Sequence, residues 1–227
     1  MGQMRRITLF SALLLWSCVA LAAATVVTVN GSVQMTPVTG KPDQLAPGQR
    51  VESGASIKTG ENSDTSMRFD DGQMIALSSN TSFVINEYKF NAHKPEESSF
   101  FASLLKGVMR AVTGIIGETN KSNVTFKTDV ATMGIRGTDF QLFYDKQLYI
   151  TVLEGAIVAK NEGGEAVFDA KSQPTGHVAN ALTIPKPITA DKIPAAATGH
   201  FRTLQMKPLS DTIRKPNPQD PTCGDRR

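Results

Sequence analysis

The chain has 227 residues, 40% of them apolar, and a formal net charge of +3, which suits one sizeable core. Arg5 and Arg6 carry two of those charges, and without them 22 Lys and Arg residues face 21 Asp and Glu residues. The remaining cations are scattered rather than clustered, so no nucleic-acid partner is expected.

Residues 1–24 read as a signal peptide. MGQMRR is a short positive segment, and the 18-residue apolar run ITLFSALLLWSCVALAAA ends in small residues. Ala20-Leu21-Ala22 and Ala22-Ala23-Ala24 both satisfy the small-x-small rule, so cleavage is expected after Ala22 or Ala24. The run also has the length of an uncleaved anchor. Leu15-Trp16-Ser17-Cys18 resembles a lipoprotein box, against which stand the bulk of Trp16 and the apolar residues after Cys18. The expected location is periplasmic or secreted, with no stable membrane span after cleavage. Cys18 leaves with the leader, and Cys223 has no partner for an intrachain disulfide.

From Thr25 onward, short apolar bursts alternate with turn residues. TVVTVNGSVQMT predicts a hairpin about Asn30-Gly31, and SMRF and QMIAL predict another about Asp70-Asp71-Gly72. Further strands are predicted at SFVINEYKF, NVTFKT, TDFQLFY, QLYITVLEG, AIVAK and AVFDA. One segment differs: Phe101, Leu104, Leu105 and Val108 have helical spacing, which predicts a short helix over about residues 98–106. From Pro185 the prolines lose all periodicity. The expected organisation is a leader at 1–24, one all-β domain at 25–184, and a strap with a disordered Pro-rich tail at 185–227. Short antiparallel strands in a twisted single domain, solenoid-like or sandwich-like, fit this rhythm.

The order of motifs resembles the FecR domain. Its carriers are Gly31-Ser32-Val33, LAPGQRVESGASIKTG at 45–60, FDDGQMIAL at 69–77 and Ser82 to Ile85. KGVMRAVTG, KTDVATMGIRGTDF and VLEGAIVAKNEGG follow, so the resemblance covers roughly residues 26–170. Asp129 departs from it, because the family usually has a proline after the threonine. The resemblance implies a twisted β structure of short rungs. It also implies an exported, free-standing FecR domain. Six residues before the apolar run leave no room for a cytoplasmic sigma-binding bundle, nor do the 43 after Ile184 for a further signalling domain.

Catalysis finds little support. His93, His177 and His200 are isolated, and H-E-x-x-H, CxxC, G-x-S-x-G and P-loop patterns do not occur. Asp70-Asp71-Gly72 lacks the spacing of a calcium loop and reads as a turn. No enzyme activity, cofactor or metal is expected. The candidate residues lie instead in GIRGTDF and VLEG: Gly134, Arg136, Gly137, Thr138, Asp139, Glu154 and Gly155. Arg136 has two readings. It fastens the turn through Asp139, Glu154 or Asp129, the preferred one, or it presents a planar cation to an anionic partner. Tyr88, Phe90, Phe143 and Tyr149 form either a sugar-stacking strip or half-buried strand faces, the latter preferred. The expected function is a non-catalytic envelope module that senses or binds an envelope protein, or else peptidoglycan or another glycan, through strand edges or faces. The alternative is a structural protein of envelope assembly.

Overall fold

The computed structural model describes residues 22–204. Most of the expected leader, its lipoprotein-like box, Cys223 and the end of the Pro-rich tail lie outside the described residues. Eight strands come first: β1 (Ala23–Asn30), β2 (Val33–Thr36), β3 (Asp43–Gln44), β4 (Arg50–Glu52), β5 (Ser56–Thr59), β6 (Asp64–Phe69), β7 (Met74–Leu77) and β8 (Ser82–Lys89). The long strand β9 (Ser99–Val112) leads into a five-residue helix, α1 (Ile115–Thr119). Then come β10 (Val124–Lys127), β11 (Thr132–Asp145), β12 (Gln147–Asn161), β13 (Gly164–Asp169), β14 (Thr175–Val178), β15 (Lys186–Pro187) and helix α2 (Ala195–Thr203).

All fifteen strands among the described residues belong to one mixed sheet, so the domain is all-β as expected. Pairing is antiparallel except between β9 and β10. Two branches meet on β9. The first, β4-β1-β6-β7, joins its second half, and the second, β3-β2-β5-β8, joins its first half. β9 turns from one branch to the other at Gly107, where a Cβ would collide with Thr81. The long hairpin β11–β12 pairs directly with the second half of β9 and, through β10, lies alongside its first half; its register breaks between Arg136 and Phe140.

Both branches face one core. Ala24 and Val26 of β1, Val33 of β2, Ile57 of β5 and Ile85 of β8 belong to a single buried cluster. Rings link the branches: Phe69 of β6 meets Tyr88 of β8 and Phe100 of β9 edge-on, each at 5.1 Å between centroids. Phe126 and Phe140 extend the series. Burying one such side chain contributes roughly 1.5–3 kcal/mol, so these rings hold the branches together without a disulfide.

The hairpin at Asp70-Asp71-Gly72 forms between β6 and β7 as expected. Two other expectations are corrected. Residues 99–106, where a short helix over about 98–106 was expected, are strand, because β8 and β10 flank β9 and satisfy its backbone. The apolar residues with helical spacing serve different surfaces. Leu104 enters the core, Val108 meets α2, and Leu105 is exposed. Nor do β1 and β2 form a hairpin across Asn30-Gly31. β2 is already flanked on both sides by β3 and β5, and the end of β1 nearest the turn pairs with β6.

Regular structure begins at Ala23 and extends beyond residue 184. In α2, Ala197 and Phe201 pack with Leu204 against Ala76 and Val108 on the sheet face opposite the core. No helix among the described residues is long and apolar enough to cross a membrane.

Candidate functional site

The motif GIRGTDF divides at a bulge. Along β11, Met133 and Ile135 are buried in the core, while Thr132, Gly134 and Arg136 lie on the opposite, outer face. The alternation shifts after Arg136. Gly137 takes φ +59 in β11 and Gly155 takes φ +75 in β12. A Cβ at Gly155 would strike the Gly137 carbonyl oxygen, so two backbones pass closely where only glycine fits.

Beyond the bulge the residues are structural. The Thr138 N–H donates to Thr113 Oγ1 at 2.9 Å, and its carbonyl accepts from the Thr113 N–H at 3.0 Å. Thr138 Oγ1 is buried without a partner. Asp139 is buried and accepts from Arg110 Nε at 2.9 Å and Nη2 at 2.6 Å. The ion pair expected between Arg136 and Asp139 is therefore not made, because Arg110 occupies that carboxylate. Arg136 is exposed and makes no hydrogen bond or ion pair among the described residues. Glu154, opposite Asp139 on β12, is exposed too.

On the outer face, Gly134 stands in a row set by strand register: Phe101 of β9, Thr125 of β10, Gly134 of β11, Val158 of β12 and Val167 of β13. Its backbone is outside the positive-φ region, and no atom lies within 4 Å of where its Cβ would be. Neither strain nor crowding requires glycine there. The residue leaves a trough in the middle of a sheet face, at a cost of roughly 0.5–1 kcal/mol relative to alanine.

Three exposed cations surround the trough. Arg136 is two residues along β11, and Lys127 and Lys160 flank Thr132 in the adjacent row. Successive strands are about 4.8 Å apart, which puts the two lysine backbones about 10 Å from each other. Neither lysine has an ion-pair partner among the described residues. The face continues into a shallow cleft of ≈ 350 Å³ lined by Asn86, Phe101, Ser103, Leu105, Lys127 and Asp129. Asp129 accepts from the Tyr144 hydroxyl at 3.1 Å and makes no ion pair with Arg136.

Arg110, Lys127 and Lys160 were not singled out by the sequence. A lone arginine in the apolar run GVMRAV is the signature of a buried charge needing a partner. Counting in twos from Gly134 reaches Thr132 and Arg136, but strand pairing is needed to reach Lys127 and Lys160.

The other candidates stay apart. Tyr88 is a core residue. Phe143, Tyr149 and His177 line up across β11, β12 and β14, with centroids 5.9 and 4.7 Å apart and interplanar angles of 34° and 32°. They stack on one another, so the shared faces are closed to a sugar. His200 shares a hydrogen with Ser78 Oγ across 2.8 Å, and His93 is exposed in a loop. No three His, Cys, Asp or Glu residues converge to hold a metal among the described residues.

Residues 55–158 match the family model described as FecR protein. No curated protein matches the chain. Two crystal structures, at 1.65 and 2.50 Å resolution, are similar to it; both are of a "putative anti-sigma factor" from Parabacteroides distasonis ATCC 8503. Each shares 14% identity over 61% of this chain, with TM-scores of 0.45 and 0.46. The aligned region spans 62% of that protein's chain.

Proposed function

Because the chain carries a FecR domain, a domain of sensing and regulation, we propose that it is a non-catalytic sensing module of the bacterial cell envelope. It recognises an acidic protein partner through the outer face around Gly134. The observation that carries this reading is the open position at Gly134 beside the unpaired cation of Arg136. Arginine's planar fork suits a carboxylate, and Lys127 and Lys160 extend the positive field. Val167, at one end of the row, is 49% exposed, and Leu105, in the adjoining cleft, 47%, and they supply apolar contact. A protein surface offers both chemistries. A glycan would stack on ring faces, and Phe143, Tyr149 and His177 turn their shared faces to one another.

Photo-crosslinking from Thr132 in intact cells tests the reading. The wild type gives one defined protein adduct. Gly134→Trp fills the trough and abolishes that adduct, and Arg136→Glu weakens it, while the thermal midpoints of both variants stay near wild type. An adduct that persists in both variants refutes this face as the site. Capture of peptidoglycan fragments alone refutes a protein partner.

A further inference from the structure

The sequence leaves two positions open for removal of the leader, after Ala22 or after Ala24, and the fold separates them. Strand β1 begins at Ala23. Ala23 is 1% exposed and Ala24 0%. Ala23 pairs with Glu52, while Ala24 pairs with Val51 on one side and Phe69 on the other. A cut after Ala24 would delete these rungs and remove a methyl group from the core cluster that contains Ala24. A cut after Ala22 leaves every β1 pairing in place.

Ala23 also has a prepared counterion. Its backbone nitrogen donates to Asp70 Oδ2 at 2.9 Å, and its carbonyl accepts from the Asp70 N–H at 3.2 Å. Asp70 is gripped from the other side by Arg50, with Nη1 2.7 Å from Oδ1 and Nη2 2.8 Å from Oδ2. A carboxylate thus stands at the first residue of the first strand, oriented by an arginine.

We propose that the chain is processed by hydrolysis of the Ala22–Ala23 peptide bond, and that the new Ala23 ammonium is held by Asp70. Water adds across the amide: Ala22 leaves as a carboxylate on the leader, and Ala23 keeps the nitrogen as an α-ammonium. Ala20 and Ala22 are the small residues that a leader peptidase reads. The cut comes before β1 docks, while the segment is still an extended substrate. Afterwards the nitrogen that donated to Asp70 as an amide donates as a cation, which strengthens the contact. The mature terminus then completes an Arg50–Asp70–ammonium cluster beside the β6–β7 turn. This inference rests on the sequence reading of the N-terminal residues, 1–24, as an export leader.

Expression of the full-length gene in a bacterial host, followed by intact mass and N-terminal sequencing of the exported protein, tests the position. A chain that starts at Ala23 is the expected result. A start at Thr25 overturns the site but leaves the export reading intact. Recovery of the chain from Met1 overturns the leader reading and the proposal with it. The counterion has its own test, with an amine-acylating reagent on the folded, processed protein. Asp70→Asn raises the rate of modification at Ala23 roughly two- to fivefold, the range of a partly exposed ion pair. Equal rates in both proteins overturn the role of Asp70.

Discussion

Arg110 and Asp139 form a buried ion pair that also fastens the last described helix: Arg110 Nη2 lies 2.6 Å from Asp139 Oδ2, and Nη1 donates to the Leu204 carbonyl at 2.9 Å. Gln141, two residues beyond Asp139, donates to the Phe201 carbonyl at 2.9 Å. The Phe201 and Leu204 carbonyls at the end of α2 are thus met by an amide and a cation from the sheet.

Breaking this pair from either side strands a buried charge. Asp139→Ala and Arg110→Ala each cost about 3–5 kcal/mol in a urea titration. Arg110→Leu combined with Asp139→Leu costs less than either single change, because no charge is left unpaired. In the single variants trypsin cuts sooner after Arg202, which is exposed on α2, as that helix loosens.

The two glycines of the β11–β12 hairpin respond oppositely to alanine. Gly155→Ala forces φ +75 on a residue with a Cβ and drives it into the Gly137 carbonyl, at a cost of at least about 2 kcal/mol. Gly134→Ala meets open space in an extended strand and leaves stability unchanged, or raises it by up to about 1 kcal/mol. Thermal melts of the two variants check the contrast.

Reversing the flanking charges separates recognition from folding. Lys127→Glu with Lys160→Glu weakens capture of the acidic partner and lowers the salt dependence of binding. The melting temperature hardly moves, since these exposed lysines make no ion pair among the described residues. A pull-down at two salt concentrations reads the effect.

Asp71 adds a pH-dependent element. Its N–H donates to the Tyr88 hydroxyl at 2.9 Å, and that hydroxyl donates to Asp71 Oδ1 at 3.3 Å. Burial raises its pKa from 3.8 to about 6, against the opposing hydrogen bonds from Gln73, Ile116 and Tyr88. A folded-state value above the unfolded one means that the folded protein holds the proton longer. The stability conferred by neutral Asp71 is therefore complete below about pH 4 and lost by the time the pH passes 6, a change of about 3 kcal/mol. Asp71→Asn carries no such ionisation. Its stability relative to wild type rises between about pH 4 and 7, and urea midpoints at the two ends of that range measure the rise.

Much of the architecture was legible because local signals sufficed. Asp70-Asp71-Gly72 specifies its turn by residue type, and Leu148, Ile150 and Val152 show their period of two directly. Non-local pairing decided the rest. The segment around Phe101 and Leu105 shows helical spacing because a strand with three surfaces to satisfy, core, solvent and α2, spreads its apolar residues unevenly. The choice of partner for Asp139 was illegible for a related reason. Arg136 is three residues away in sequence, but the bulge sends the two side chains to different surroundings, and Arg110 arrives from β9. The glycines of GIRGTDF were recognisable as special without revealing that Gly137 serves the backbone and Gly134 the surface.

The ends of the sheet bear on how the molecule behaves at high concentration. One path ends at β4, three residues long with Arg50 and Glu52 exposed, and at β15, two residues long. Pro187 in β15 lacks a backbone N–H for a further strand. The six-residue edge strand β13 carries Glu165 in its exposed row. Short, charged or proline-bearing borders give another copy little backbone to template on, so a fifteen-stranded sheet that could seed fibres is kept from growing edge to edge.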